Sequence, residues 1–253
     1  MEEKIKKILV SGVISAGKEI LKYKGQGKQE ATKITAFDYG IPADKQAEKI
    51  ILDSISKTNL KVQIISEESG IKGDSQADYK IYVDALDGSV NFSRNIPAFC
   101  VGLALFYKNN PLLGIIYDPN TDELFIAEKG KGTTVNGEKI QSKTNKKNAL
   151  INVEWFGAPN YESVIEKLKK ANLRARTSGS GVLALCYGVI GRGDGAVLIS
   201  NNPWDIAPGM VFAEEMGCEI KQFNGEPVNL SQKRIDVIAA PKDVFDMIFN
   251  TLK

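Results

Sequence analysis

Two carboxylates stand three residues apart in the stretch Ile81-Tyr82-Val83-Asp84-Ala85-Leu86-Asp87-Gly88-Ser89-Val90-Asn91-Phe92. Its apolar, β-branched opening predicts a buried strand with the aspartates at its end. Carboxylates placed like this repel each other and resist desolvation unless cations sit between them. Gly88 and Ser89 follow at once, and their backbone N–H groups and hydroxyl are suited to hold a phosphate if a helix begins there. The stretch is either a metal-and-phosphate corner or a solvated Asp/Gly turn.

Three more acidic signals sit at element ends. Glu67 closes a short strand predicted over 61–66, Asp44 opens a helix over 45–56, and Asp205 precedes an apolar segment over 206–216. Singly, Asp44 and Asp205 read as helix N-caps and Glu67 as a solvated strand end. Together, oxygen-only ligands gathered from several elements suit Mg2+ or Mn2+ better than zinc or copper.

Composition points the same way. The chain has no histidine, so Ser-His-Asp and Cys-His catalysis and His-ligated metals are unavailable. Cys100, Cys186 and Cys218 are odd in number and set in apolar contexts; they read as buried thiols, not a disulfide framework or zinc site. Chemistry must run on carboxylates, hydroxyls, lysines or bound metal.

The 253 residues suffice for one large domain or two packed ones. A net charge of +2 gives no reason to expect nucleic acid or an anionic membrane as partner. No apolar run approaches a membrane span, and the charged start Met1-Glu2-Glu3-Lys4 lacks a secretory core, so the expected location is cytoplasmic.

Apolar residues at helical spacing predict a helix over 4–24. Gly12-Val13-Ile14-Ser15-Ala16-Gly17-Lys18 lies inside that pattern and matches most of a phosphate-binding loop. It lacks the final hydroxyl and a preceding strand, so it is set aside. Strands over 101–106, 112–117 and 123–127 with a hairpin at Asn136-Gly137 predict an antiparallel meander. The lysine-rich run 141–148 marks a boundary between halves 1–142 and 143–253. In the second half strands alternate with helices around a glycine turn, Ser178-Gly179-Ser180-Gly181, which gives an α/β layered pattern.

At this point the sequence resembles the inositol monophosphatase family, in particular the archaeal and bacterial enzymes that also hydrolyse fructose-1,6-bisphosphate. The resemblance rests on Glu67-Glu68-Ser69, on Asp84 to Phe92, on Trp204-Asp205-Ile206-Ala207-Pro208-Gly209, on Arg176-Thr177-Ser178-Gly179-Ser180 and on Asp44-Lys45-Gln46-Ala47-Glu48, all in family order. It implies a mixed α/β fold, a layered αβαβα sandwich of the sugar-phosphatase type. It also implies two or three Mg2+ per site, with Mn2+ as a possible substitute. Glu67, Asp84 and the Ala85 carbonyl would hold the first, Asp84, Asp87 and Asp205 the second, and Asp44 with Glu67 a third. Gly88 and Ser89 would bind phosphate, while Ser89 and Glu67 would orient and deprotonate the attacking water. Asp38, in Asp38-Tyr39-Gly40-Ile41-Pro42, is a further metal or water-positioning candidate.

Substrate contacts are expected from Gly179, Ser180, Gly181, Arg176 and Arg192. Ala85 stands where the family often has proline, Ser89 where threonine is frequent, and Pro208 where a small residue is common; a proline is expected to be tolerated there, near a helix start whose early N–H groups lack partners. Leu198 replaces a glutamate of inositol-specific members, which weakens inositol phosphate as sole substrate. The resulting expectation is a phosphomonoesterase for small sugar or inositol phosphates, in a family whose members are usually homodimers. Its rivals are a 3′-phosphoadenosine-5′-phosphate phosphatase and a regulatory module that keeps the fold but binds protein or RNA.

Overall fold

The computed structural model of the protein describes residues 2–24, 33–34, 39–40, 42–141, 148–157 and 160–253. Asp38, most of the 141–148 boundary and all of residues 25–32 lie outside them.

In chain order the elements are α1 (Glu3–Tyr23), β1 (Lys33–Ile34), β2 (Tyr39–Gly40), α2 (Pro42–Ser56), β3 (Val62–Ser66), β4 (Gly70–Gly73) and β5 (Tyr79–Asp87). Then come α3 (Ser89–Ser93), β6 (Cys100–Tyr107), β7 (Asn110–Asp118), β8 (Glu123–Glu128), β9 (Gly132–Val135) and β10 (Glu138–Lys139). The remainder is β11 (Leu150–Trp155), α4 (Tyr161–Lys170), β12 (Arg174–Arg176), α5 (Gly181–Ile190), β13 (Gly195–Asn201), α6 (Pro203–Glu215), β14 (Glu219–Gln222), β15 (Ile235–Ala240) and α7 (Lys242–Leu252).

Strand alternation builds five layers. Ile81 and Val83 of β5 and Leu103 and Leu105 of β6 point to α1 and α2, sharing a core with Leu9, Val13, Ala47 and Ile51. Their neighbours Tyr82, Ala104 and Phe106 point the other way, onto α5 and α6. In the second sheet Ala196 and Leu198 of β13 face those same helices, while Val197 and Ile199 face α4 and α7. The order is therefore α1/α2, eight-stranded sheet, α5/α6, five-stranded sheet, α4/α7. This is the expected αβαβα sandwich.

Three details depart from the sequence reading. The helix expected from residue 45 begins at Pro42, whose fixed φ suits the first helical position. Asp44 thus lies inside the first turn and is not a cap. The first sheet is mixed: β3 pairs antiparallel with the short β4 and parallel with β5. β4 went unread because Gly70-Ile71-Lys72-Gly73 shows no alternation. Pro208 lies a full turn inside α6, past the early N–H groups that lack partners.

Gly12 and Gly17 sit within α1 as packing points. A Cβ on Gly12 would come 2.6 Å from Ser54, and one on Gly17 2.4 Å from the Tyr117 ring. The three cysteines are free. No helix among the described residues is long and apolar enough to cross a membrane.

Candidate active site

Parallel pairing of β3 with β5 gathers the first ligand candidates. Ser66 is the register partner of Val83, so the next residue on each strand, Glu67 and Asp84, emerges at the same end of the sheet. The Glu67 N–H donates to the Val83 carbonyl across 3.4 Å. Had the two strands run antiparallel, these carboxylates would lie at opposite ends.

Asp84 and Asp87 meet through an irregularity. On β5 Asp84 and Asp87 are three positions apart, while their partners on β6, Gly102 and Cys100, are two apart. This extra residue is a β-bulge. In a regular strand residues i and i+3 face opposite sides; the bulge restores both aspartates to the side of α5 and α6. Ala85 lies buried within it, and the Leu86 N–H is taken by Asp84 Oδ1 at 3.1 Å.

The second half brings Asp205. β11 and β13 are parallel, so the segments after their C-terminal ends open on one edge, where ligands of α/β sheets are bound. Asp205 is the third residue of α6 and completes a capping box with Asn202, accepting the Asn202 N–H at 2.8 Å. It therefore caps the helix and faces the cluster at once.

One oxygen from each of Asp84, Asp87 and Asp205 falls within 4.8 Å of the others, and all three residues are buried. None of the three makes an ion pair among the described residues. Burial is the main force raising the Asp84 carboxyl well above the ordinary range, followed by repulsion from Glu67, Asp87, Asp205 and Asp44. Burial, then Asp87, pushes Asp205 up to about 7. Asp87 is raised less simply: burial lifts it, while donors from Ser180, Val182 and Gly181 pull it back. A buried all-oxygen donor set whose members repel one another fits hard divalent cations.

These carboxylates border a cavity of about 350 Å³ that also takes in Glu67, Gly88, Ser89, Thr177, Gly179 and Gly181. Gly88 turns in the left-handed region at φ 87°, and a Cβ there would come 2.6 Å from the Ala98 carbonyl oxygen. Ser89 opens α3 directly after it. Asn91 ties this corner to the glycine turn, donating to the carbonyls of Ala98 (2.7 Å) and Ser178 (2.8 Å).

Two expected substrate residues are placed elsewhere. Ser180 is buried; its hydroxyl donates to Asp87 Oδ2 and accepts from the Leu183 N–H as the N-cap of α5. It serves a ligand candidate and does not face the cavity. Arg192 follows the far end of α5, roughly 15 Å along the axis from Gly181. There it pairs with Glu123 and lies over the Phe125 and Tyr187 rings. Arg176 is exposed at the end of β12, next to the cavity residue Thr177.

Two residues were given no role by the sequence reading, though Glu48 closes one of its motifs. Glu154 of β11 lines the cavity and accepts from the Ser178 N–H, the Ser178 hydroxyl (2.8 Å) and the Gly179 N–H (3.0 Å), holding the glycine turn in place. Burial outweighs these donors and pushes its carboxyl up to about 7. Glu48 accepts from the Ser69 N–H (3.2 Å) and hydroxyl (3.1 Å), linking α2 to the turn that carries Glu67. A carboxylate spaced four residues after Asp44 is the one signal that marks Glu48; Glu154 had none, because it sits mid-strand.

The profile described as the inositol monophosphatase family matches residues 1–252. Over 201 residues the chain is 36% identical to a fructose-1,6-bisphosphatase of Pyrococcus furiosus, covering 78% of this chain and 76% of the relative. It is 33% identical to Nus factor SuhB of Escherichia coli over 226 residues, 86% of this chain and 85% of that one. The crystal structure of the extragenic suppressor protein suhB from Bartonella henselae superposes with a TM-score of 0.91 at 28% identity, covering 99% of both chains. With the family match running over nearly the whole chain and the fold shared, the chain belongs to the inositol monophosphatase family.

Proposed function

We propose that this protein is a divalent-cation-dependent phosphomonoesterase acting on small sugar or inositol phosphates, fructose-1,6-bisphosphate and inositol-1-phosphate foremost. The observation that carries the reading is the buried Asp84–Asp87–Asp205 triad, with oxygens within 4.8 Å and no ion pair among the described residues. In this reading Glu67, Asp84, Asp87, Asp205, Asp44 and the Ala85 carbonyl hold Mg2+, with Mn2+ as substitute. The bound cations supply positive charge against the phosphate and make water acidic enough to attack.

The chain's own residues do the rest. Gly88 and Ser89 offer N–H groups to the phosphate. Ser89 and Glu67 orient the attacking water, and its proton passes to the Glu67 carboxylate. The water oxygen bonds to phosphorus as the ester P–O bond breaks; the leaving oxygen takes a proton from solvent water, and Glu67 returns its proton to solvent, leaving the free alcohol and inorganic phosphate. Gly179, Gly181 and Arg176 border the sugar. The halves 1–142 and 143–253 would meet at this site in a cytoplasmic homodimer, which sedimentation can test.

The test is phosphate release from the two named substrates and from 3′-phosphoadenosine-5′-phosphate, with Mg2+, Mn2+ or chelator, beside an Asp87→Asn control. Chelator-sensitive turnover lost in the variant supports the reading; folded protein inactive on all three with either cation sinks it. The similarity to Nus factor SuhB favours a second reading, a binding partner in a larger assembly. An inactive protein would direct work there.

A further inference from the structure

A second and larger cavity, about 820 Å³, lies away from the carboxylate triad. Alternate residues of the eight-stranded sheet, Ile65, Tyr82 and Phe106, form its floor. Trp204 and Met210 of α6 form one wall, and Leu230, in the segment joining β14 to β15, overhangs it. Its size is that of a small-molecule site; its floor and wall are apolar with three aromatic rings, and polar side chains such as Gln63 and Asn229 complete the lining.

The charge is one-sided. Lys80 and Lys233 both line the cavity. Lys80 donates to the neutral amide oxygen of Asn109 at 2.9 Å, and neither lysine makes an ion pair among the described residues. Burial pushes the Tyr82 phenol up to about 12, so it adds no negative charge. Glu67 lines the cavity too, as it does the carboxylate cavity. An anionic ligand is drawn to the lysines and turned away from Glu67, which fixes its direction.

We infer that this cavity is a second binding site, for an amphiphilic aromatic anion. Its ring system would lie among Tyr82, Phe106 and Trp204, with its carboxylate or sulfonate at Lys80 and Lys233. The inference does not rest on the phosphatase reading. An occupant would touch Glu67 and the neighbour of Asp205, so the two cavities share a wall.

The probe is 1-anilinonaphthalene-8-sulfonate, titrated into full-length Trp155→Phe protein, in which Trp204 is the sole tryptophan. The expected result is saturable energy transfer from Trp204 with one probe per chain. Lys80→Glu with Lys233→Glu should weaken it at least tenfold, and Val228→Phe, which narrows the cavity, should weaken it as well. The uncharged analogue N-phenyl-1-naphthylamine should bind at least tenfold more weakly. Each variant is checked for an unchanged thermal melt. No saturable transfer, or affinity unchanged by both the lysine and the Val228 variants, overturns the inference. Probe binding that withstands the lysine and Val228 variants but is displaced by inorganic phosphate with Mg2+ also overturns it, because the probe would then occupy the carboxylate cavity.

Discussion

Asp87 and Ser180, ninety-three positions apart, are joined by a side-chain hydrogen bond that runs from the end of β5 to the start of α5. The Gly181 and Val182 N–H groups reach the same carboxylate at 3.1 and 2.9 Å. One ligand candidate is thus fixed by the layer opposite. Ser180→Ala removes this support and the α5 cap together. A loss of about 1–2 kcal/mol in denaturant unfolding is expected. Mg2+ affinity, read from cation-dependent thermal shifts, should fall by roughly 10–100-fold. Ser180→Thr, which keeps a hydroxyl, should lose less of both.

The cation-free protein should lose stability as pH rises. Asp205 has an ordinary value of 3.8 and is pushed up to about 7 in the fold; Asp84 moves the same way. A raised carboxyl favours the neutral form in the folded state, so its full contribution is present below pH 4 and is lost toward pH 7. For Asp205 alone this is on the order of 4 kcal/mol. Thermal melts in chelator should decline across that window, and saturating Mg2+ should flatten the decline.

Asp205→Asn separates a ligand role from a purely structural one. At pH 7 it removes a repelled charge, so the chelated protein should gain about 1–3 kcal/mol while the amide oxygen still accepts the Asn202 N–H. The same variant should lose the Mg2+-induced rise in melting temperature and at least about 100-fold in turnover. A residue that only capped α6 would not produce opposite signs in the two conditions.

Glu154→Gln tests the hold on the glycine turn. The carboxylate accepts three donors through two oxygens, and an amide offers one acceptor. KM should rise about tenfold, with a smaller fall in kcat, because Glu154 holds Ser178 and Gly179 of the turn while Ser180 and Gly181 hold Asp87. Stability between pH 4.5 and 7 should also become flatter than in the parent, since the raised titration of Glu154 is gone.

The motifs were legible because the residues that carry them sit at element ends, where local sequence controls both chemistry and geometry. Asp84, Asp87, Gly88, Ser89 and Asp205 line one cavity. What could not be read depends on partners far along the chain. The parallel register of β3 and β5 decides that Glu67 meets Asp84, and neither strand encodes it alone. Ser180 looked like a cavity residue until the N-cap turned it inward onto Asp87. Arg192 follows the glycine turn closely in sequence, but a ten-residue helix carries it to the opposite end of the layer, where Glu123 takes its charge. Glu154 reads as an ordinary strand residue until the turn 24 positions later folds over it.

The bulge between Asp84 and Asp87 also bears on how this site tolerates change. An Asp-x-Asp pair in a regular strand would align the same two carboxylates with no irregularity. The additional residue takes a main-chain carbonyl out of the ladder, beside the carboxylates and independent of any side chain. A saturation scan should therefore record Ala85 as nearly silent to small residues and to proline, even though its backbone oxygen would be part of the machinery. Functional weight at that position would be carried by chain length, and it would show in insertions and deletions where substitutions miss it.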